Sequence, residues 1–333
     1  MLREYIDKIN SAIRQFLSTR THENPLIQEM LEYNRKFILS GGKRIRPLLT
    51  IMAYSLNNEI DDRIIKASIS IEFLHNYFLV YDDIMDEAPI RRGITTVHVY
   101  FAKKGKEMGI PNHELFGISM AILAGGLLKS YAVEALLDSG FPPEKIARAL
   151  KVLEIATERT SYGQALDLEM SSTGKVGDIN HYYAVIDNKT AYYTFIAPLK
   201  IGGILGGLDE KSMNTLEKFG LFVGRAFQIQ DDLLDIISPV SGKRPCGDLS
   251  EGKMTLPLLL TNDERIWKLR GKDLTDEEIE LVREIVVKSG AEKRTREIIS
   301  DYLKKARELL QEFAKEKTIH FIELIEMLEK RNR

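Results

Sequence analysis

Two short segments carry acidic side chains at a spacing suited to binding a metal ion. Asp82-Asp83-Ile84-Met85-Asp86 follows Phe78-Leu79-Val80-Tyr81, and Asp231-Asp232-Leu233-Leu234-Asp235 follows Gln228-Ile229-Gln230. Each places carboxylates at i, i+1 and i+4, and on a helix positions i and i+4 lie one turn apart on the same face. Like charges repel there, so a fold that keeps them next to an apolar helical run gains from a cation between them. Magnesium matches: it takes carboxylate oxygens, keeps some water, and is completed by substrate phosphates. Two such clusters can gather several ions around one diphosphate. A single motif of this kind is as readily an exposed acidic helix turn. Two in one chain, each closing an apolar run, argue for a shared chemical task.

A diphosphate also needs cations. Gly41-Gly42-Lys43-Arg44-Ile45-Arg46-Pro47 offers Lys43 and Arg46 beside a loop whose backbone amides can approach phosphate, and Pro47 suits the first turn of a following helix. Arg91 and Arg92 follow the first acidic cluster in a Pro-Ile-Arg-Arg-Gly turn, and arginine suits bidentate phosphate contacts. Lys189-Thr190 interrupts an otherwise apolar helical run, where a lysine is costly to bury unpaired. Lys243, Asp248 and Lys253 lie in the loop after the second cluster. Taken singly, a Gly-Gly-Lys is an ordinary loop and an Arg-Arg pair an ordinary solvated turn. Their order around two carboxylate clusters is what joins them. His75, on the helix that ends in the first cluster, reads by spacing alone as a core-lining histidine. Gln164, Asp167 and Gln228 are polar residues on apolar helices that hydrogen bonds inside the core can satisfy. The other histidines show no metal-ligand spacing.

These residues need helices to carry them. Apolar periodicity of the helical kind dominates, alternating strand patterns are scarce, and the 10 prolines fall mostly at breaks. Loop signals stand at 40–42, 171–177 and 238–252. The reading is one all-α domain over residues 1–333. Residues 1–19 form an amphipathic helix rather than a targeting peptide. The uncharged stretch from Leu115 to Leu128 is shorter than the roughly 18 residues of a membrane span and reads as a buried helix, so no transmembrane segment is expected. The tail from Gln311 to Arg333 reads as a solvated helix. With 47 basic and 49 acidic residues, net charge gives no reason to expect a nucleic-acid partner. A single cysteine, Cys246, fits a reducing compartment, and a cytoplasmic location is expected.

The sequence resembles the trans-prenyltransferases, the family of farnesyl and geranylgeranyl diphosphate synthases. The resemblance rests on Gly41-Gly42-Lys43 with Arg46, on Asp82 to Gly93, on Gly163-Gln164 with Asp167, on Lys189-Thr190, on Gln228 to Asp235, and on Gly252-Lys253. It implies an all-α isoprenoid-synthase helical bundle around a central cavity, usually a homodimer. It implies that Asp82 and Asp86, with Asp83 in the same cluster, bind two magnesium ions. Asp231 and Asp248 would help bind a third, with Asp232 and Asp235 nearby. Arg91, Lys189 and Lys253 would hold the allylic diphosphate, with Gln228 and Lys243 close by. Lys43, Arg46, His75 and Arg92 would hold isopentenyl diphosphate. Thr190, Tyr193 and Gln164 would line the region where the carbocation forms. The catalytic set implied is Asp82, Asp86, Lys189, Thr190 and Asp231. Two positions depart from the family: Gly126, often an Asp, and Cys246, usually a Gly.

The implied reaction is ionisation of the allylic substrate, condensation with isopentenyl diphosphate, and proton loss to the released diphosphate. A class I terpene cyclase is a rival, but its second metal motif is of an Asn/Ser type. An inactive regulatory subunit typically lacks one acidic cluster. A His-Asp phosphohydrolase is disfavoured because the chain has no His-Asp dipeptide. Product length follows from Tyr77 and Phe78. Phe78 lies about 5.4 Å, one helical turn, before Asp82, and Tyr77 is rotated from it by about 100°. Bulky rings there would floor the cavity early, and in the resembling family two adjacent aromatics at this place accompany short products, so the resemblance implies farnesyl, then geranylgeranyl, diphosphate. Ordinary core packing is the commoner fate of such rings.

Overall fold

The computed structural model describes residues 2–173, 178–237 and 244–331. Among these, helices account for nearly all regular structure, and the all-α expectation holds. The chain divides into two compact units, Met1–Leu153 with Ile201–Gly207, and Glu154–Lys200 with Leu208–Arg333.

The first unit contains α1 (Leu2–Ser18), α2 (Pro25–Leu39), α3 (Ile45–Ser55), α4 (Asp62–Met85), α5 (Val97–Glu107) and α6 (His113–Leu137). Local chemistry sets the starts. Asn24 accepts from the amides of Leu26 and Ile27 ahead of Pro25, and Asp61 accepts from those of Arg63 and Ile64. α4 is the core helix: its side chains are buried on every face from Ile69 to Asn76, and it packs against α1, α3 and α6. Between α4 and α5 runs a short antiparallel ladder, β1 (Ile90–Arg91) with β2 (Ile94–Thr95). Its two connecting residues, Arg92 (φ 50) and Gly93 (φ 76), are both left-handed, the geometry of a type I′ hairpin turn.

α6 corrects one expectation. The predicted buried helix has one covered face, against α4 and α5, and one open face where Leu115, Ile122 and Leu123 are 55%, 48% and 59% exposed. At 25 residues it is also long and apolar enough, by length and composition, to cross a membrane, although 44% of its most apolar window is buried in the fold.

The second unit holds most of α7 (Pro143–Thr173), then α8 (Ile179–Ile186), a π-helix (Asp187–Ile196), the start of α9 (Ala197–Gly206), α10 (Glu210–Ile237) and the short α11 (Gly247–Ser250). It continues with α12 (Leu256–Leu259), α13 (Glu264–Leu269), α14 (Asp276–Lys288), α15 (Ala291–Leu309) and α16 (Ile319–Arg331). α10 packs against α15 and the π-helix. Two glycines admit that wide helix. A Cβ on Gly163 of α7 would lie 2.3 Å from the Lys189 nitrogen, and one on Gly224 of α10 would lie 2.7 Å from the Ala191 Cα. Both approaches are closer than any side chain allows, so the glycines set where Lys189 and Thr190 sit.

Candidate active site

Both acidic clusters end their helices. Asp82 and Asp83 lie in the last turn of α4 with Asp86 as its C-cap, and Asp231, Asp232 and Asp235 lie in the last two turns of α10. A helix C-terminus carries partial negative charge, so carboxylates there add repulsion to repulsion. The arrangement costs stability unless a cation meets it. Asp86 is exposed and Asp82 half-exposed, but Asp83 is fully buried and accepts from Arg91 Nε at 2.5 Å. Burial pushes Asp83 up to about 6, against the pull of the Arg91 guanidinium. Asp83, grouped with the metal carboxylates by sequence, thus has an arginine partner in the hairpin.

The cationic loop stands close by in the same unit. Gly41 and Gly42, at φ 145 and φ 118, need glycine's conformational freedom. Arg92 Nη1 donates to the Gly41 carbonyl at 3.0 Å, and its Nη2 lies 3.4 Å from His75 Nε2. His75 is 8% exposed. Burial, then the charges of Arg46, Arg92, Arg91 and Arg44, hold it well below its usual pKa, so the imidazole is neutral at pH 7. Lys43 is exposed and Arg46 half-buried. Guanidinium groups around a neutral histidine make a strongly anion-seeking surface.

The second unit supplies a different network, around a cavity of about 90 Å³ lined by Asp167, Lys189, Thr190, Gln228, Asp232 and Lys253 among others. Lys189 Nζ donates to Asp167 Oδ2 at 2.5 Å, and Lys253 Nζ lies 4.0 Å from the same oxygen and 3.9 Å from Asp248 Oδ1. Asp167 therefore sits between the two lysines. Burial would lower Lys253, but the carboxylates of Asp167, Asp248 and Glu251 outweigh it and hold the ammonium charged. Thr190 donates to Gln228 Oε1 at 2.9 Å, and Gln228 Nε2 donates to Asp232 Oδ1 at 2.8 Å. Tyr182 closes the chain, its hydroxyl donating to Asp232 Oδ2 at 2.5 Å. Asp232 is buried and pushed well up, by burial and then by Asp248. Asp235 accepts from the amides of Gly247 and Asp248 at 3.3 and 3.2 Å, which fixes Asp248 beside the cluster. Burial, partly countered by Lys253, pushes Asp248 up to about 6.

The loop behind these groups is firmly held. Arg270 donates to the Gly252 carbonyl at 2.5 Å and also to that of Met170. Gly252 has φ 84, and a Cβ there would lie 2.9 Å from the Ser171 carbonyl. Cys246, at φ 59, occupies a left-handed position, which accounts for the glycine usual there. Gly126 has open space where a side chain would stand, so its departure brings no steric change.

Gln164 on α7 and Tyr193 on the π-helix are both half-buried. Lys243 lies outside the described residues. Tyr77, Phe78 and Tyr81 form an aromatic ladder on α4, with ring centroids 4.9 Å apart for Tyr77 and Phe78 and 4.6 Å for Tyr77 and Tyr81. Tyr81 extends it to α6: a Cβ on Gly125 would lie 2.7 Å from the Tyr81 ring, and the Tyr81 hydroxyl donates to the Ile122 carbonyl. Tyr182 escaped the sequence reading, as did the carboxylate of Asp167 as a spacer between lysines. Among the described residues, no three His, Cys, Asp or Glu side chains are grouped as a protein-only metal cage. Magnesium is held by one or two carboxylates together with substrate phosphates, and the donors at the ends of α4 and α10 suit that manner of binding.

The sequence pattern of the family described as Polyprenyl synthetase matches residues 24–286. Geranylgeranyl pyrophosphate synthase of Geoglobus acetivorans is 34% identical over 319 residues, covering 93% of this chain and 92% of its own. Geranylfarnesyl diphosphate synthase of Natronomonas pharaonis is 32% identical, covering 91% and 92%. A crystal structure of geranylgeranyl pyrophosphate synthase from Corynebacterium glutamicum, complexed with isoprenyl diphosphate and magnesium, superposes with a TM-score of 0.91 at 28% identity, covering 99% of both chains. With the motifs, the helical architecture and these likenesses in agreement, the chain belongs to the polyprenyl synthetase family.

Proposed function

We propose that this chain is a magnesium-dependent prenyltransferase that condenses isopentenyl diphosphate with an allylic diphosphate, giving farnesyl or geranylgeranyl diphosphate. The observation that carries the reading is the pair of carboxylate clusters at the C-terminal ends of α4 and α10, each beside its own set of cations. Asp82, Asp86, Asp231 and Asp248 are the residues proposed to hold up to three magnesium ions, with Asp235 fixing Asp248. Asp83 and Asp232 serve the same clusters through Arg91 and Tyr182. Bound magnesium supplies Lewis-acid stabilisation of the diphosphate leaving group.

Lys189, Lys253 and Arg91 bind the allylic diphosphate, and Lys189 exchanges Asp167 for phosphate oxygens. The allylic C–O bond breaks, and these cations stabilise the charge that grows on the departing group. Thr190, Gln164 and Tyr193 border the carbocation in a site that excludes water. Lys43, Arg46, Arg92 and neutral His75 hold isopentenyl diphosphate. Its alkene attacks the allylic carbon, and the proton lost afterwards goes to the released diphosphate.

The same reading makes residues 1–333 a single catalytic domain, located in the cytoplasm. It also makes the exposed Leu115, Ile122 and Leu123 of α6 the face covered in a homodimer. The test is incubation of purified protein with magnesium, labelled isopentenyl diphosphate and dimethylallyl, geranyl or farnesyl diphosphate, with products sized by chromatography. Elongated, magnesium-dependent products are expected. A cyclised hydrocarbon, or no turnover with any primer, overturns the reading.

A further inference from the structure

Between Lys43 and Arg46 lies an arginine with a different surrounding. Arg44 caps α3 with φ 52 and ψ 34, a left-handed backbone uncommon outside glycine, and its side chain turns inward to 4% exposure while Lys43 stays exposed. Its guanidinium reaches three elements. Nε donates to Asn10 Oδ1 on α1 at 2.9 Å, Nη1 to Glu72 Oε1 on α4 at 2.5 Å, and Nη2 to the Ile38 carbonyl on α2 at 2.8 Å. The ion pair with Glu72 is dry, its two side chains 2% and 3% exposed.

Glu72 lies about one turn before His75 on α4, and Asn76 Nδ2 donates to its backbone carbonyl. It is also the carboxylate whose charge acts most strongly on Arg92. A Cβ on Gly42 would lie 3.3 Å from both Arg44 Nη1 and Arg92 Nη2, so the two guanidiniums flank the same stretch of loop. Remove Arg44, and Glu72 is left as a buried, uncompensated carboxylate that attracts the Arg92 guanidinium. That would draw Arg92 away from the Gly41 carbonyl and from His75.

We infer that the buried Arg44–Glu72 pair is a positioning device for isopentenyl diphosphate binding. It fixes the Gly41–Arg46 loop, leaves Arg92 available to the substrate, and ties α1 to the site through Asn10. The inference rests on the proposed roles of Lys43, Arg46, His75 and Arg92. A buried ion pair adds little net stability, because desolvation offsets its attraction, and apolar residues of similar volume often replace one without loss. Its directional bonds to α1, α2 and α4 have no such substitute. Positioning and stability can therefore be separated.

The experiment compares Arg44→Met/Glu72→Met, Asn10→Ala and Lys43→Ala with the parent enzyme, by thermal melting and by kinetics with each substrate varied in turn. For the double variant, a melting temperature near the parent's is expected, with the KM for isopentenyl diphosphate raised roughly tenfold or more and the allylic KM changed by less than about twofold. Asn10→Ala should shift the isopentenyl KM in the same direction by less. An equal rise in both KM values, or a fall in kcat alone, marks an ordinary structural role and overturns the inference. An unchanged isopentenyl KM in the double variant, beside a raised one in Lys43→Ala, overturns the inference and leaves the site assignment standing. An unchanged value in Lys43→Ala removes the assignment, and the inference with it. If the double variant does not fold, Asn10→Ala decides, since it removes one half-exposed contact only.

Discussion

Tyr182 donates its hydroxyl to Asp232 across 2.5 Å, from α8 to the end of α10, at a point where both side chains are buried. Gln228 supplies the other bond to this carboxylate and is itself held by Thr190 of the π-helix. Tyr182→Phe removes one donor from a buried acid, a loss of about 1–3 kcal/mol. The expected outcome is a lower melting temperature together with reduced kcat. A variant that melts and turns over like the parent would show that the network is idle.

Asp82→Asn should separate activity from stability. The carboxylate stands at the negative end of α4 beside Asp83 and Asp86, a placement costing roughly 0.3–1 kcal/mol per charge in the absence of metal. Activity should collapse, while the magnesium-free protein melts at the same temperature or slightly higher. Added magnesium should raise the melting temperature of the parent and do so less in the variant. Near-parental turnover of the variant, or parental activity in excess chelator, would remove Asp82 from the metal site.

His75 makes folding sensitive to acid. Its folded pKa lies well below 6.5, chiefly through burial and then through Arg46, Arg92, Arg91 and Arg44, while Glu72 on its own helix is taken up by the ion pair with Arg44. As pH falls through 6.5 the unfolded chain takes up a proton that the folded chain refuses, so stability present above 6.5 is lost below it. His75→Asn should flatten the decline in melting temperature between about pH 7 and pH 5. Parallel melting curves for parent and variant across that range would contradict a neutral buried imidazole.

Tyr77 and Phe78 bear on product length. The Tyr77 ring meets those of Phe78 and Tyr81 in tilted contacts along α4, and Tyr77 and Phe78 lie one to two turns before the first metal carboxylates. Replacing both with Ala should lengthen the product by at least one isoprene unit, read by chromatography of the dephosphorylated prenols. An active double variant with an unchanged product distribution would make the ladder core packing and nothing more.

Much of this was legible in residue order. Helical periodicity yields the all-α class, and the two i, i+1, i+4 carboxylate sets mark the helix ends at Asp82 and Asp231. Other features depend on neighbours distant in sequence. Tyr182 meets Asp232 from 50 positions away, and no local pattern announces the contact. The π-helix depends on Gly163 and Gly224, which are ordinary helix residues until a third helix lies between them. The hairpin after Asp86 is too short for strand alternation, and its one sequence cue is the Arg92-Gly93 pair. The uncharged run of α6 shows that the helix is apolar but does not reveal which of its faces is covered.

Cys246 has a practical consequence. It is the only thiol in the chain, fully buried, and pushed up to about 12 by burial. Thiolate is the reactive form, so this sulfur is inert toward maleimides and iodoacetamide near neutral pH. The protein is thus a ready-made silent background for site-directed labelling. A cysteine introduced at an exposed position, such as Glu87 beside the first acidic cluster, would carry a fluorophore or spin label by itself, with no native thiol to remove first.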